Sequence, residues 1–423
     1  MRQIEEKSSN AIIRNLEKIV TGDIYDPIQE ADSILVQDGK IKQIGNGLKA
    51  PDKSFRDVDA QGMMAIPGLF ECHAHNAIDD YAPIVKAVDW MANLGRCGIT
   101  TMITEGEHGP GYPRYYDDPI GVKAEAIFIN RVFRRWRPGN TIKVHGGAII
   151  LVHGLTESDF KEMAEGGVRL IAEIGGGGLY HPDDVAEMCD WAHKYGMLVS
   201  VHCGPPSIPG SAYVKAENFL RLKPEKAAHI NGGSTSLPWE QIQDIIDKTE
   251  SSLEVVFHSN LKVGLKVVER CRERGELHRI IFGSDQAIGL ALTPGSIWGL
   301  ITQVASLGNI PPEQAICMAT GNAARTYEKA LGIKTGFLRE GYDADIVITD
   351  TPPGPEESVG KNVLDGMSRG LFCAPAMTML DGKIMGIIGQ DYQPTMRHVK
   401  IDGKEHNIDD VVEYLFGIPH PGY

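Results

Sequence analysis

Donor residues of the metal-ligand type recur in this chain at the ends of short apolar runs: His73 and His75 in FECHAH, Glu173 in AEIGGGG, His202 in SVHCG, His229 in AHING and Asp285 in FGSD. Imidazole nitrogens and carboxylate oxygens are the donors that zinc, iron and related divalent ions accept. Side chains alternate with period two along a strand, so both rings of His73 and His75 face the same way and can chelate one ion. Alone, a His-x-His pair is more often incidental, and a single strand-end histidine is usually a satisfied polar residue. Six donors on one rim are not a set of independent accidents. Two divalent ions about 3.5–4 Å apart hold a water whose pKa falls to near 7, which provides hydroxide at neutral pH. A carboxylate such as Asp285 beside that hydroxide could take its proton during attack on a carbonyl and pass it on. The second ion would stabilise the oxyanion.

Such an arrangement needs elements that bring distant residues to one rim. From about residue 67 to 330, β-branched runs alternate with amphipathic stretches, the pattern of repeated βα units on a parallel sheet. Eight strand candidates can be counted, at 63–75, 99–106, 141–148, 168–175, 197–204, 226–232, 253–259 and 279–285, and eight is the number that closes a (β/α)8 barrel. Reactive side chains then belong at the C-terminal strand ends. Helix punctuation supports the intervening segments: Thr156 before ESDFKEMAEGG, Pro182 opening DDVAEMCDWAHKYG, and Gly196 at its C′ position. Pro311–Pro312 opens a further helical segment, EQAICMATGNAARTYEK.

Residues 10–62 have a different texture, with short strands joined by Asp-Gly and Gly-Asn turns, and 340–390 repeats it. The expectation is a small β-sandwich module assembled from both chain ends. Its parts would be 1–66 and 336–395, flanking a barrel at 67–335, with 396–423 as a C-terminal tail.

Other residues on the rim invite roles. His145 at the end of the third strand is a candidate catalytic hydrogen-bond partner for substrate or oxyanion, with a structural histidine the equal alternative. His258 and Glu105, ending strands seven and two, would face substrate, and Arg114 in GPGYPRYYDD could clamp a substrate carboxylate or be a plain loop arginine. Glycines 175–178 have no GK[ST] or GxGxxG context, so they let backbone approach the metals rather than cradle a phosphate.

Through PGLFECHAH, SVHCG, AHING and FGSD the chain resembles the amidohydrolase superfamily, and the likeness extends to DGKIKQIG and GYDADIVITD on either side of the barrel segment. Carried over by position, the resemblance implies that His73, His75 and Asp285 hold one ion and His202 and His229 the other. Many members bridge their ions with a carboxylated lysine ending strand four. Here VRLIAEIGGGG offers Glu173, which can bridge without carbon dioxide, and Glu71 stands where many members carry an aspartate. The stretches KVHGGAIILVHGLTESDF, HCGPPSIPGS, HINGG and CMATGN resemble the superfamily's cyclic-amide hydrolases. That likeness implies hydrolysis of a C–N bond in a lactam or imide ring, zinc or zinc plus iron as cofactors, and a homo-oligomer, tetramer or dimer.

Bulk properties exclude several alternatives. With 42 Lys and Arg against 56 Asp and Glu, a net charge of -14 and no basic run, nucleic acid is not an expected partner. MRQIEEKSSN lacks an apolar signal core and no window is long and apolar enough for a membrane span, so the expected location is cytoplasmic. Seven cysteines without a CxxC imply reduced core thiols rather than a disulfide framework. Two rival readings stay open, a mononuclear heterocycle deaminase and a non-catalytic binding barrel. Metal analysis separates them, at about two ions per chain, about one, or none.

Overall fold

The computed structural model describes residues 8–75, 91, 93–106, 118–134, 142–206, 211–232, 236–286, 293–387 and 395–405. Parallel pairing dominates the middle of the chain. Leu69–Ala74 pairs with Ile99–Thr104, which pairs with Lys143–His145. Ser200–His202, Lys226–Ala228, Ser252–Val256 and Ile280–Gly283 form a second parallel run in that order. Residues 168–175 join the two by single bridges rather than a continuous strand. Ile149 N donates to Leu170 O at 3.1 Å on one side, and Ile174 N to Ser200 O at 3.0 Å on the other. Ala74 bridges Gln286 in parallel, and His75 N donates to Gln286 O at 2.7 Å, so the first and last strands of the array also meet.

The strands LFECHA and ITTMIT are buried at every position, as expected of parallel strands covered on both faces. Helices lie between them, among them Glu157–Gly166, Pro182–Lys194, Trp239–Lys248 and Leu261–Arg274. Their ends follow local chemistry. Pro182 sits in the first turn, His181 Nδ1 accepts from Asp183 N at 3.3 Å, and Gly196 takes φ 72° just past the end. Trp239–Lys248 turns Ile242, Ile245 and Ile246 inward, the i, i+3, i+4 spacing of a core-facing stripe.

Two single runs in the sequence divide in the structure. The first, 63–75, splits at Gly68: Met64–Pro67 pairs antiparallel with Ile346–Asp350, while Leu69–Ala74 enters the parallel array. The segment after Pro311 likewise becomes two helices, Pro312–Met318 and Gly321–Leu331, with Thr320 between them at φ -134° and ψ -90°, outside helical geometry.

Both chain ends build two six-stranded sheets, one combining Ala11–Arg14, Ser33–Gln37, Lys40–Gly45 and Arg56–Asp59 with late strands, the other combining Met64–Pro67 with Ile346–Asp350 and Ala374–Leu380. They share one apolar cluster, with Ile13, Ile34 and Val58 from one sheet and Ile19, Ile346, Met377 and Met379 from the other. The late part of the chain contributes too, since Lys400–Ile401 pairs with Arg56–Asp59; residues 406–423 of the expected tail lie outside the described residues. Lys143, at the start of a parallel strand, reaches Asp343, Asp345 and Asp381 at 3.0, 2.8 and 2.7 Å and so ties the array to this module. All seven cysteines are buried and none forms a disulfide. No helix among the described residues is long and apolar enough to cross a membrane.

Candidate metal centre

Donors far apart in sequence converge at the C-terminal ends of the parallel strands. One ligand atom each from His73, His75 and Glu173 lie within 4.8 Å of one another, and so do those from Glu173, His202 and His229. Glu173 belongs to both groups. Its Oε2 lies 2.9 Å from His229 Nε2 and 3.5 Å from His202 Nδ1, while Oε1 lies 4.0 Å from His73 Nε2. Asp285 closes the other side, with Oδ1 at 3.2 Å from His75 Nε2 and 3.5 Å from His73 Nε2. The rings of His202 and His229 are 4.6 Å apart and those of His73 and His75 5.1 Å.

Local structure explains these positions. His73 and His75 alternate with buried Ala74 on an extended strand end, so both rings leave the same face. Glu173 has room because residue 176 is glycine: a Cβ there would lie 2.5 Å from Glu173 Oε1. The glycine run thus makes space for the carboxylate itself. His229 and Asp285 both take left-handed backbone, φ 31° and 61°, a conformation uncommon outside glycine that concentrates at functional sites. Asp285 is held there by its N–H, which donates to His73 O at 3.0 Å.

The residues fit divalent cations. His73 Nε2, His202 Nδ1 and His229 Nδ1 are buried without a hydrogen-bond partner, an arrangement that proteins otherwise avoid. Burial works against charge on Glu173, yet His229, His202 and His73 hold its carboxyl well below the usual range. Burial likewise disfavours a charged His73, but Glu254, Asp285 and Glu173 outweigh it and raise the imidazole to about 10. A pocket this negative favours cations, and an ion entering it must displace the His73 proton. Zinc affinity of the apo-protein should therefore rise with pH, by up to about tenfold per unit below pH 10. Competition with a chromophoric chelator at pH 6, 7 and 8 measures this; an affinity flat across that range would mean that the ring is already neutral.

Of the other candidates, one lies near the donors and two do not. His258 stands near Asp285, whose charge partly offsets the lowering by burial, and its Nε2 contacts Thr293 Oγ1 at 3.1 Å. Glu105 does not face the rim: it is 2% exposed and its carboxylate accepts from Lys226, because a lysine buried in the strand array needs a counter-charge. His145 also departs from its expected place. The strand stops at His145 and the following backbone is drawn against helix Pro119–Arg134, where a Cβ on Gly147 would lie 2.3 Å from Ala126 O. His145 instead lines a cavity of about 630 Å³ with Phe133, Arg134, Lys143 and Asp381. Burial, then Lys143 and Arg134, push its pKa down to about 4. Arg114 lies outside the described residues.

Three charged residues beneath the candidate ligands lie outside the donor set read from the sequence. Glu71 accepts from His73 N at 3.0 Å and Ser284 N at 2.8 Å, tying the first strand of the array to the last. Glu254 and Lys226 complete a buried floor. The available signal was the charge itself, single ionic residues inside the apolar runs LFECHAH, KAAHING and LEVVFHS, which are almost never fully buried unless paired.

A parallel α/β array that gathers four imidazoles and two carboxylates at its strand ends, one carboxylate shared between two donor groups, defines a metal-centred hydrolase class. The chain belongs to the amidohydrolase family, whose sequence model matches residues 64–385. It is 40% identical over 395 residues to enamidase of Eubacterium barkeri, covering 93% of this chain and all of that one. The crystal structure of enamidase superposes with a TM-score of 0.85 at 38% identity, over 93% of this chain and 100% of that one. A D-hydantoinase (dihydropyrimidinase) from a Thermus species shares the fold at a TM-score of 0.63 and 17% identity, over 92% and 99% of the two chains. Members of this superfamily use divalent metals and hydrolyse carbon–nitrogen bonds.

Proposed function

We propose that this chain opens a cyclic amide, a lactam or imide ring, by hydrolysis at a centre formed by His73, His75, Glu173, His202, His229 and Asp285. The observation that carries this reading is the position of Glu173, common to both donor groups. Likeness to enamidase over nearly the whole chain supports the substrate class. When bound, two divalent ions, zinc or zinc with iron, would supply Lewis acidity at the carbonyl and lower the pKa of water toward neutrality. His73, His75 and Asp285 would hold one ion, His202 and His229 the other, with Glu173 between them. Asp285 takes the proton of the attacking water and returns it to the leaving nitrogen. Burial biases Asp285 toward protonation, but His73, His75 and His229 keep its carboxyl below the ordinary range, so it is ionised and ready as a base at neutral pH. His258, beside Asp285, faces the bound ring.

The same reading takes the parallel pairings as a closed (β/α)8 barrel over 67–335 and the two six-stranded sheets as a sandwich formed by 1–66 and 336–395. It also places the protein in the cytoplasm as a homo-oligomer.

A panel of lactams and cyclic imides, with and without a carboxylate, tests the activity; metal analysis at about one ion per chain, with turnover confined to amino-heterocycles, would favour a deaminase instead. Arg114, as a clamp for a substrate carboxylate, would contribute uniform binding. Arg114→Ala should then raise KM for a carboxylate-bearing ring at least about tenfold more than for its uncharged amide analogue. Equal effects on both would return Arg114 to the loop surface.

A further inference from the structure

Below the ligand side chains lies a charged floor that the proposed chemistry leaves unused. Lys226 and Glu254 are both fully buried. Lys226 Nζ donates to Glu105, to Glu254 Oε1 at 3.1 Å and to the carbonyl of Cys72 at 3.2 Å. That carbonyl also accepts from Tyr327 Oη at 3.3 Å, so the strand is pinned immediately before His73. The second oxygen of Glu254, Oε2, lies 2.6 Å from His73 Nδ1 and accepts the backbone N–H of His229 at 3.0 Å. One carboxylate thus touches a residue from each donor group.

Each contact removes a specific freedom. A histidine can present either ring nitrogen to a metal, and the partner of the other nitrogen decides which. With Nδ1 directed at Glu254, His73 presents Nε2 toward Glu173 and Asp285. His229 needs a different restraint, because left-handed backbone at φ 31° persists only where its surroundings over-determine it. The hydrogen bond from its N–H to Glu254 is one such restraint, and Lys226 fixes the carboxylate that makes it. Burying an ammonium and carboxylates in the floor of a strand array is costly unless they are paired and hydrogen-bonded, as these are.

We infer that Glu254, anchored by Lys226, is a positioning residue that sets one ligand of each metal ion at once, orienting the His73 ring and holding the His229 backbone. The inference rests on the two-metal reading of the centre. Three donors converge on the two oxygens of Glu254, the His73 ring N–H, the His229 N–H and the Lys226 ammonium. In Glu254→Gln an amide nitrogen replaces one oxygen, so at least one of these donors meets another donor.

The test uses the full-length protein loaded with cobalt(II), wild type and Glu254→Gln, with circular dichroism reporting the fold. Competition with a chelator should show both ions bound about 10- to 100-fold more weakly in the variant. The visible absorption bands of the cobalt protein should also change, a signature that loss of stability alone would not produce. If Glu254→Gln does not fold, Glu254→Asp, which keeps the charge but is one methylene short of both contacts, is read in the same way. A folded variant with wild-type affinity for both ions and an unaltered spectrum would overturn the inference, and weakening confined to one ion would overturn the dual role. Wild-type protein that takes up no cobalt would overturn the two-metal reading and the positioning role with it.

Discussion

Replacing Asp285 by Asn should lower kcat by at least about a hundredfold while most of the metal stays bound, since loss of a general base typically costs 10²–10⁴-fold. The substitution is clean in three respects. Asn tolerates left-handed backbone as well as Asp does, so φ 61° at this position is not disturbed. The N–H that donates to His73 O at 3.0 Å is unchanged. The amide also keeps one oxygen to face His73 and His75, where Asp285 Oδ1 now sits at 3.5 and 3.2 Å. What Asn lacks is a site that can accept the proton of the attacking water. The acidic limb of the kcat/KM profile should therefore vanish or move, because that limb reports protonation of the base in the free enzyme. Steady-state kinetics beside metal analysis of the same preparation decide it. A metal-replete Asp285→Asn enzyme with near-normal kcat would assign proton transfer to another group, with His258 the next to test.

Glu173→Ala should abolish activity and reduce metal content to one ion per chain or fewer. Two dications about 3.7 Å apart repel by on the order of 18 kcal/mol at an effective dielectric of about 20. The imidazoles of His73, His75, His202 and His229 bring no charge to offset this when they bind metal through neutral rings. Glu173 is common to both donor groups, so its removal weakens both together. Gly176→Ala approaches the same point from outside: the new methyl carbon would stand 2.5 Å from Glu173 Oε1 and force the carboxylate out of place, so metal loss in the same direction is expected. Full occupancy by two ions in Glu173→Ala would remove the shared-carboxylate assignment. Since a glutamate occupies the position, reconstitution of the apo-protein should proceed equally well with and without bicarbonate.

The sequence by itself pointed to the six donors that converge in the structure and to a mixed α/β fold, because both follow from short-range regularities. Period-two alternation puts His73 and His75 on one face, and apolar runs followed by amphipathic stretches specify strands and helices without knowledge of their neighbours. Only the tertiary structure decided how the donors are shared and what lies beneath them. Glu254 reaches His73 across 181 residues, and Lys226 reaches Glu105 across 121, separations over which no local periodicity carries information. The same limit explains the two displaced candidates. Counting to the end of a strand placed His145 and Glu105 on the rim, whereas close packing at Gly147 moves the chain against a helix and a buried lysine draws Glu105 inward. Burial of charge is decided by its partners, and those partners become neighbours only when the strands assemble.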